Sequence, residues 1–298
     1  MILVVGATGF LGGEICRRLA ERGEAVRALV RPTSAPDALD RLRQSGVQTV
    51  EGDLKDPSSL PAASAGVRAV ISTATATAGR TGQDGDSIET VDGVGQLNLV
   101  RAAREAGVER FSYISYSGNI RTDDPLTRAK RSVEQAVKGS GMTYTILRPT
   151  FFMEVWLSPA LGFDYANAKA TIFGDGTRPI SWISLADVAS FAVHTLDHPA
   201  ARNAMLELGG PEALSPLQVV ALFEEISGRT IERTHVPEDQ LRAAFEAATD
   251  TLPKTFAALQ LNYARGDAIP MEETLRTYEL GMTSVRDYAT RVLSVAQT

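Results

Sequence analysis

Three glycines spaced three residues apart, Gly6, Gly9 and Gly12, are the first feature of this sequence that could do chemistry. They lie in Gly6-Ala7-Thr8-Gly9-Phe10-Leu11-Gly12. The apolar run Ile2 to Val5 precedes them, and Glu14 to Arg22 follows with Ile15, Leu19 and Ala20 on one helical face. A strand, a glycine turn and a helix in that order make a cradle for phosphate. Gly6 permits the tight turn, Gly9 lets the backbone approach a pyrophosphate, and Gly12 lets helix and strand pack closely. The helix N-terminus then offers N–H groups and the positive end of its dipole to an anion. The spacing is GxxGxxG rather than the commoner GxGxxG, so the strand-turn-helix context carries the reading.

Arg31 closes the next apolar segment, in Ala28-Leu29-Val30-Arg31-Pro32. An acid at that place accepts hydrogen bonds from a ribose 2′-OH and repels a 2′-phosphate, whereas an arginine pairs with the phosphate bidentately. Arg31 therefore points to NADP(H) rather than NAD(H), with Thr33 and Ser34 as further phosphate contacts. Asp53, followed by Leu54, sits where an adenine amine needs an acceptor. Asp56 is better placed to cap the helix beginning at Pro57, which leaves Asp53 for the ligand. Ser72, Thr73 and Ala74 are small enough to let a ribose and phosphates lie against the backbone. A long polar loop containing Gly82 and Gly85 follows.

Enzymes that protonate a carbonyl through tyrosine commonly place it in Tyr-x-x-x-Lys, with a serine upstream. Here Leu126-Thr127-Arg128-Ala129-Lys130 keeps the lysine but has leucine in the tyrosine position, and Tyr113 and Tyr116 fall out of register. Lys130 is left as the candidate for proton handling or for donation to ribose hydroxyls. Ser115 could hydrogen-bond a substrate oxygen. Phe151, Phe152, Met153 and Trp156 could wall a substrate pocket or serve as core, and Trp182 reads as structural. His194, His198 and His235 lack metal-ligand spacing, and no GxSxG is present, so neither a metal site nor hydrolase chemistry is expected.

These residues must be positioned by alternating strands and helices. Strands are predicted at Ala25–Val30, Val47–Glu51, Val67–Ser72, Arg110–Ser115 and Thr143–Leu147. Helices are predicted at Pro36–Gln44, Pro57–Ala65, Ser87–Ala106 and Pro125–Lys138. Gly23, Gly46, Gly66, Gly107 and Gly141 each fall between a helix and the next strand. The pattern predicts an α/β fold: a Rossmann-type doubly wound parallel sheet over residues 1–150. A smaller C-terminal α+β substrate lobe is predicted over 151–298, with some segments returning to the sheet. In the lobe, helices are predicted at Leu185–Leu196, Pro216–Ile226, Glu238–Ala248 and Ser284–Val295, and strands at Ala204–Leu208 and Ile231–His235.

The chain has 298 residues, 44% of them apolar, and a net charge of −6. That charge argues against nucleic acid and anionic membrane surfaces as partners. No stretch is apolar and long enough to span a bilayer, and Met1 runs directly into the first strand, which leaves no room for a cleavable signal. The lone Cys16 reads as a small helix residue. The expectation is a cytoplasmic monomer or homodimer acting on a small molecule.

The segment Ala129-Lys130 through Gly141-Met142-Thr143-Tyr144 to Arg148-Pro149-Thr150 resembles the atypical short-chain dehydrogenase/reductases of the NmrA-like and isoflavone-reductase-like group. Gly6, Gly9, Gly12, Arg31, Asp53, Lys130, Gly141, Tyr144, Arg148 and Pro149 match that pattern, and the resemblance runs from Met1 to Val155. It implies NADPH binding, with Lys130 as the proton-handling residue or a ribose ligand. The expected cofactor contacts are Gly6, Thr8, Gly9, Phe10, Leu11, Gly12, Arg31, Asp53, Leu54, Thr73, Ala74, Lys130, Pro149, Thr150 and Phe151. Lys130 and Ser115 are the catalytic candidates, and Tyr116, Phe152 and Trp156 the substrate contacts. An NADPH-dependent oxidoreductase acting on a small apolar or aromatic substrate is the leading expectation. An NADP(H)-binding regulator or redox sensor without turnover is the alternative, and an epimerase is disfavoured by the missing Tyr-x-x-x-Lys.

Overall fold

The computed structural model describes residues 1–77 and 85–296. The N-terminal apolar run forms β1 (Ile2–Val5), and all four of its side chains are buried, as a strand covered on both faces requires. The chain continues through α1 (Phe10–Glu21), β2 (Val26–Val30), α2 (Pro36–Gln44), β3 (Gln48–Glu51), α3 (Leu60–Ser64) and β4 (Ala69–Ser72). Next come α4 (Gln96–Glu105), β5 (Arg110–Ile114), α5 (Pro125–Lys138) and β6 (Thr143–Pro149). Then follow β7 (Phe163–Asp164), β8 (Lys169–Phe173), β9 (Ala204–Leu208) and β10 (Glu232–Val236). Seven strands form one sheet in the order β3-β2-β1-β4-β5-β6-β9, and the first six are parallel. The strand order reverses between β1 and β4, the switch point beside which this Rossmann-type architecture binds ligands. Polar β3 occupies the sheet edge, where its side chains are mostly exposed. The five punctuating glycines all have positive φ, between +68° and +84°.

Two boundaries differ from the sequence reading, each for a local reason. Helix α1 begins at Phe10 rather than Glu14, because Gly12 and Gly13 lie inside it and hide its first turn from an apolar-period signal. The segment expected as one helix over Ser87–Ala106 is a π-helical stretch at Ile88–Gly95 that runs into α4. Its widened turn leaves little room at Gly95, where a Cβ would lie 2.7 Å from the Thr90 carbonyl oxygen and 2.9 Å from Leu54 Cβ. Such π segments are frequent at functional sites.

The chain folds into two compact units that interleave in sequence. The first comprises Met1–Tyr116, Pro125–Arg148 and Val188–Leu206, and the second Ser117–Asp124, Pro149–Asp187 and Glu207–Thr298. Ser117–Asp124 thus belongs with the second unit and Val188–Leu206 with the first. The second unit contains a three-stranded sheet ordered β10-β8-β7. It also contains helices Pro216–Ser227, Glu238–Ala247 and Val285–Ala296, close to expectation. Helices Thr251–Arg265 and Glu272–Tyr278 and strand β8 were not anticipated. Pro253 in the first of these reads as a breaker but sits in the opening turn, where no helical N–H is needed. Among the described residues no helix is long and apolar enough to cross a membrane. Gly82 and its neighbours from 78 to 84 lie outside the described residues.

Candidate functional site

The glycine turn is shaped by contacts that no side chain would survive. Gly6 has φ +84°, and a Cβ there would lie 2.5 Å from Thr73 Oγ1 and 2.8 Å from the Ala74 nitrogen. At Gly12 a Cβ would lie 2.3 Å from the Gly6 carbonyl oxygen. The Gly9 N–H closes the turn onto the Gly6 oxygen at 3.0 Å, and the Gly13 N–H bonds the Gly9 oxygen at 2.9 Å. The N–H groups of Phe10, Leu11 and Gly12 precede that first helical bond. No side chain caps α1, and no acid lies in its first turn. At Gly9, which is exposed, only the Gly6 oxygen would come within 4 Å of a Cβ, at 3.3 Å. The open helix end, with no acid in its own first turn, therefore fits an anionic diphosphate. Thr73 and Ala74 lie against this turn: the Thr73 hydroxyl donates to the Val5 oxygen at 3.1 Å, and the Ala74 oxygen accepts from Gln96 Nε2 at 2.9 Å. Thr8 and Leu11 are half-buried, and Phe10 is 88% exposed.

Arg31 is part of an ionic cluster. Its guanidinium pairs with Asp86 Oδ2, and Lys55 Nζ lies 2.8 Å from Asp86 Oδ1 and 3.6 Å from Asp53 Oδ2. Burial alone would raise the Asp86 carboxyl, but the hydrogen bonds from Lys55 and Arg31 outweigh it and hold the group below the usual carboxylate range. Burial likewise opposes the Lys55 charge, but Asp86 and Asp53 outweigh it and lift the ammonium above the usual lysine range. Asp53 also accepts the Lys55 N–H at 2.9 Å. Asp56 caps the short turn at Pro57–Ser59 by accepting from the Ser58 N–H, as its position predicted. Ser34 Oγ accepts the Arg31 N–H at 3.0 Å. Leu54 is buried, and its carbonyl accepts from Asn98 Nδ2 at 3.2 Å. Lys55 and Asp86 carried no signal in the sequence, because neither belongs to a periodic pattern or motif.

Lys130 is no surface lysine: it is 5% exposed. Its ammonium lies 3.4 Å from Asp92 Oδ1, donates to the Ile114 oxygen at 3.3 Å, and sits 5.2 Å from the centre of the Tyr113 ring. Asp92, fully buried in the π-helical stretch, also accepts the Ala76 N–H at 2.8 Å. Among the described residues, the buried Tyr113 hydroxyl has no hydrogen-bond partner. Burial, reinforced by the charges of Asp92 and Glu134, holds its phenol well above the usual range. One turn along α5, Glu134 accepts from Ser115 Oγ at 2.6 Å, Arg131 at 2.6 Å and Arg148 at 2.5 Å. The Ser115 hydroxyl proton is thus directed at Glu134. Tyr116 shares a hydrogen bond with Thr127, and the Arg131 guanidinium lies 5.1 Å from its ring centre.

The remaining expected residues belong to the second unit. Pro149 is buried, and its oxygen accepts the Ser117 N–H at 2.9 Å. Thr150 Oγ1 donates to Asp267 at 2.6 Å. Asp267 is buried and also accepts from Ser117 Oγ at 2.9 Å and Asn119 Nδ2 at 2.8 Å, a knot absent from the sequence reading. Phe151 and Trp156 meet edge to face at 4.9 Å between ring centres and join Phe173, Trp182 and Tyr263 in a buried aromatic cluster. Trp156 and Trp182 are both buried within this cluster. Phe152 is half-buried and bridges to Ile183. A cavity of about 540 Å³ in this unit is lined by Asp175, Arg178, His235, Glu238 and Arg265, among others, and by none of the expected substrate contacts.

Known proteins resemble this chain in sequence and in fold. The chain is 31% identical over 280 residues to the NAD(P)H azoreductase of Xenophilus azovorans, an overlap covering 91% of this chain and 92% of that protein. It is 31% identical over 242 residues to the Arabidopsis thaliana chloroplastic protein High Chlorophyll Fluorescence Phenotype 244. That overlap covers 81% of this chain, and the chain spans 59% of the length of that relative. The crystal structure of an Escherichia coli NADPH-dependent quinone oxidoreductase complexed with NADPH has the same fold, with a TM-score of 0.79 at 21% identity. The match covers 98% of this chain and 100% of that one. The model of the NmrA-like family spans residues 1–289, and the chain belongs to that family.

Proposed function

We propose that the protein is an NADPH-dependent oxidoreductase that reduces a small apolar or aromatic molecule. The observation that carries this reading is the open N-terminus of α1, shaped by Gly6 and Gly12, in the same compact unit as a buried, carboxylate-held Lys130. The name of the azoreductase relative supports reductase chemistry. NADPH, when bound, supplies the hydride. The first-turn N–H groups of α1 hold its diphosphate, Arg31 its 2′-phosphate, and Asp53 its adenine amine. Lys130 has three N–H donors and two long protein contacts, so it retains capacity to donate to ribose hydroxyls and to deliver a proton to a substrate atom. Asp92 holds that ammonium in place. Tyr116 is the substrate contact offered by the first unit, and Ser115 acts by fixing Glu134. The buried single cysteine suits a reducing compartment, and the activity is assigned to the cytoplasm.

A screen of quinones, azo dyes and aromatic carbonyl compounds, followed through NADPH absorbance, tests this reading. Saturable, enzyme-dependent NADPH oxidation with at least one class is expected. Tight NADPH binding without turnover of any class would favour the second reading, a dinucleotide-responsive regulator, which the missing tyrosine before Lys130 supports.

A further inference from the structure

We propose that Arg31 and Lys55 together form the clamp for the cofactor 2′-phosphate, and that Asp86 is its resident counter-ion, competing with the phosphate and restraining the preference for NADPH over NADH. The proposal rests on the cofactor reading above and adds two residues to it. Both cations converge on one carboxyl group, Lys55 on Oδ1 at 2.8 Å and Arg31 on Oδ2. Asp86 is 5% exposed, so its carboxylate is held by this pair and not by bulk water. A carboxylate and a phosphate draw on the same donors, and two converging cations can hold either.

Charge decides between the two occupants. Arg31 and Lys55 carry two positive charges, and Asp53 and Asp86 carry two negative ones, so the cluster is neutral as it stands. A phosphate monoester adds about −1.5 to −2 at neutral pH. Seating it beside an ionised Asp86 would place like charges together in a largely buried setting, where they interact strongly. NADPH must therefore separate Asp86 from its cations. NADH has no 2′-phosphate and leaves the cluster intact. Asp86 thus lowers affinity for one cofactor only, and Lys55 raises affinity for that same cofactor.

The test is equilibrium titration of the full chain with NADPH and, separately, NADH, for the wild type, Asp86→Asn, Lys55→Met and Arg31→Ala. Asp86→Asn is expected to tighten NADPH about tenfold, the equivalent of one charge-assisted contact, and to leave NADH within about twofold. Lys55→Met is expected to weaken NADPH about tenfold more than NADH. Asp86→Asn that weakens NADPH, or that shifts both cofactors equally, would overturn the proposal. If that variant does not fold, the partly exposed Lys55 decides: equal effects of Lys55→Met on both cofactors would overturn it as well. Arg31→Ala separates the two levels. Selective loss of NADPH in that variant keeps the cofactor reading standing even if Asp86 and Lys55 fail. A wild type that binds neither cofactor would overturn both.

Discussion

Helix α5 carries two buried charges one turn apart, Lys130 and Glu134, and the fold holds them in opposite ways. Glu134 accepts from two arginines and a serine at 2.5 to 3.0 Å, which engages both carboxylate oxygens. Among the described residues, Lys130 has one carboxylate at 3.4 Å and one carbonyl at 3.3 Å for three N–H donors. A saturated buried charge ties α5 to β5 and β6. An undersaturated one has donors left for a ligand. On the proposed function, Glu134 holds the scaffold and Lys130 is the residue with donors left for a ligand, although both are buried.

The largest expected effect falls on the saturated side. Glu134→Ala leaves Arg131 and Arg148 without their shared partner and should destabilise the protein by about 3–5 kcal/mol, read as a lowered denaturation midpoint. The same group sets a pH dependence. Burial opposes its charge, but Arg148, Ser115 and Arg131 outweigh that and hold the Glu134 carboxyl below the usual range. Its stabilising contribution is therefore fully present above the unfolded glutamate value of about 4.3 and is lost as pH falls through the lower folded value. Acid denaturation of Glu134→Gln should show a shallower decline across that window. Equal acid limbs in the two proteins would contradict the assignment.

Lys130→Met probes the other side. If Lys130 delivers the proton, turnover should fall by about 10²–10⁴-fold with a modest change in NADPH affinity. If it only grips the ribose, affinity should fall by about 1.5–3 kcal/mol while turnover at saturating cofactor survives. Stability should fall as well, because Lys130→Met leaves the buried Asp92 carboxylate without its cation, so binding and turnover are read on folded protein. Asp92→Asn should move the same parameter as Lys130→Met, in the same direction, if Asp92 acts by positioning the ammonium.

Arg31→Ala gives a smaller effect, a loss of about 1.5–3 kcal/mol for NADPH with NADH largely spared. Asp86 already neutralises part of that arginine, so the measured loss should fall toward the lower end. Ser115→Ala should cost least, about 1.5 kcal/mol of stability for one hydrogen bond to a charged group. A large kcat loss with unchanged stability would return Ser115 to the catalytic role its position first suggested.

What could be read from the sequence divides along similar lines. Gly6 and Gly12 were legible because their constraint is local: the turn they serve is formed by their immediate neighbours and the strand before them. Arg31 stood out as a candidate from its place at the end of a strand, and Lys130 from the Tyr-x-x-x-Lys spacing. Their partners did not. Asp86 lies 55 residues from Arg31, and Asp92 and Lys130 come from a π-helical stretch and a later helix. Such pairings follow from how elements pack, which leaves no periodic trace in a single sequence. In the second unit, helix Thr251–Arg265 carries Pro253 in its opening turn. Trp156 packs against Tyr263, far along the chain, a neighbour no local pattern announces.

The most direct test of the account is an NADPH titration of the wild type beside Gly9→Val. Among the described residues, a Cβ at Gly9 meets only the Gly6 oxygen beyond its chain neighbours, at 3.3 Å, so the sheet should fold while the open helix end is filled. The account predicts saturable NADPH binding by the wild type and its loss in a variant that melts near the wild-type temperature. Normal NADPH binding by folded Gly9→Val would contradict it.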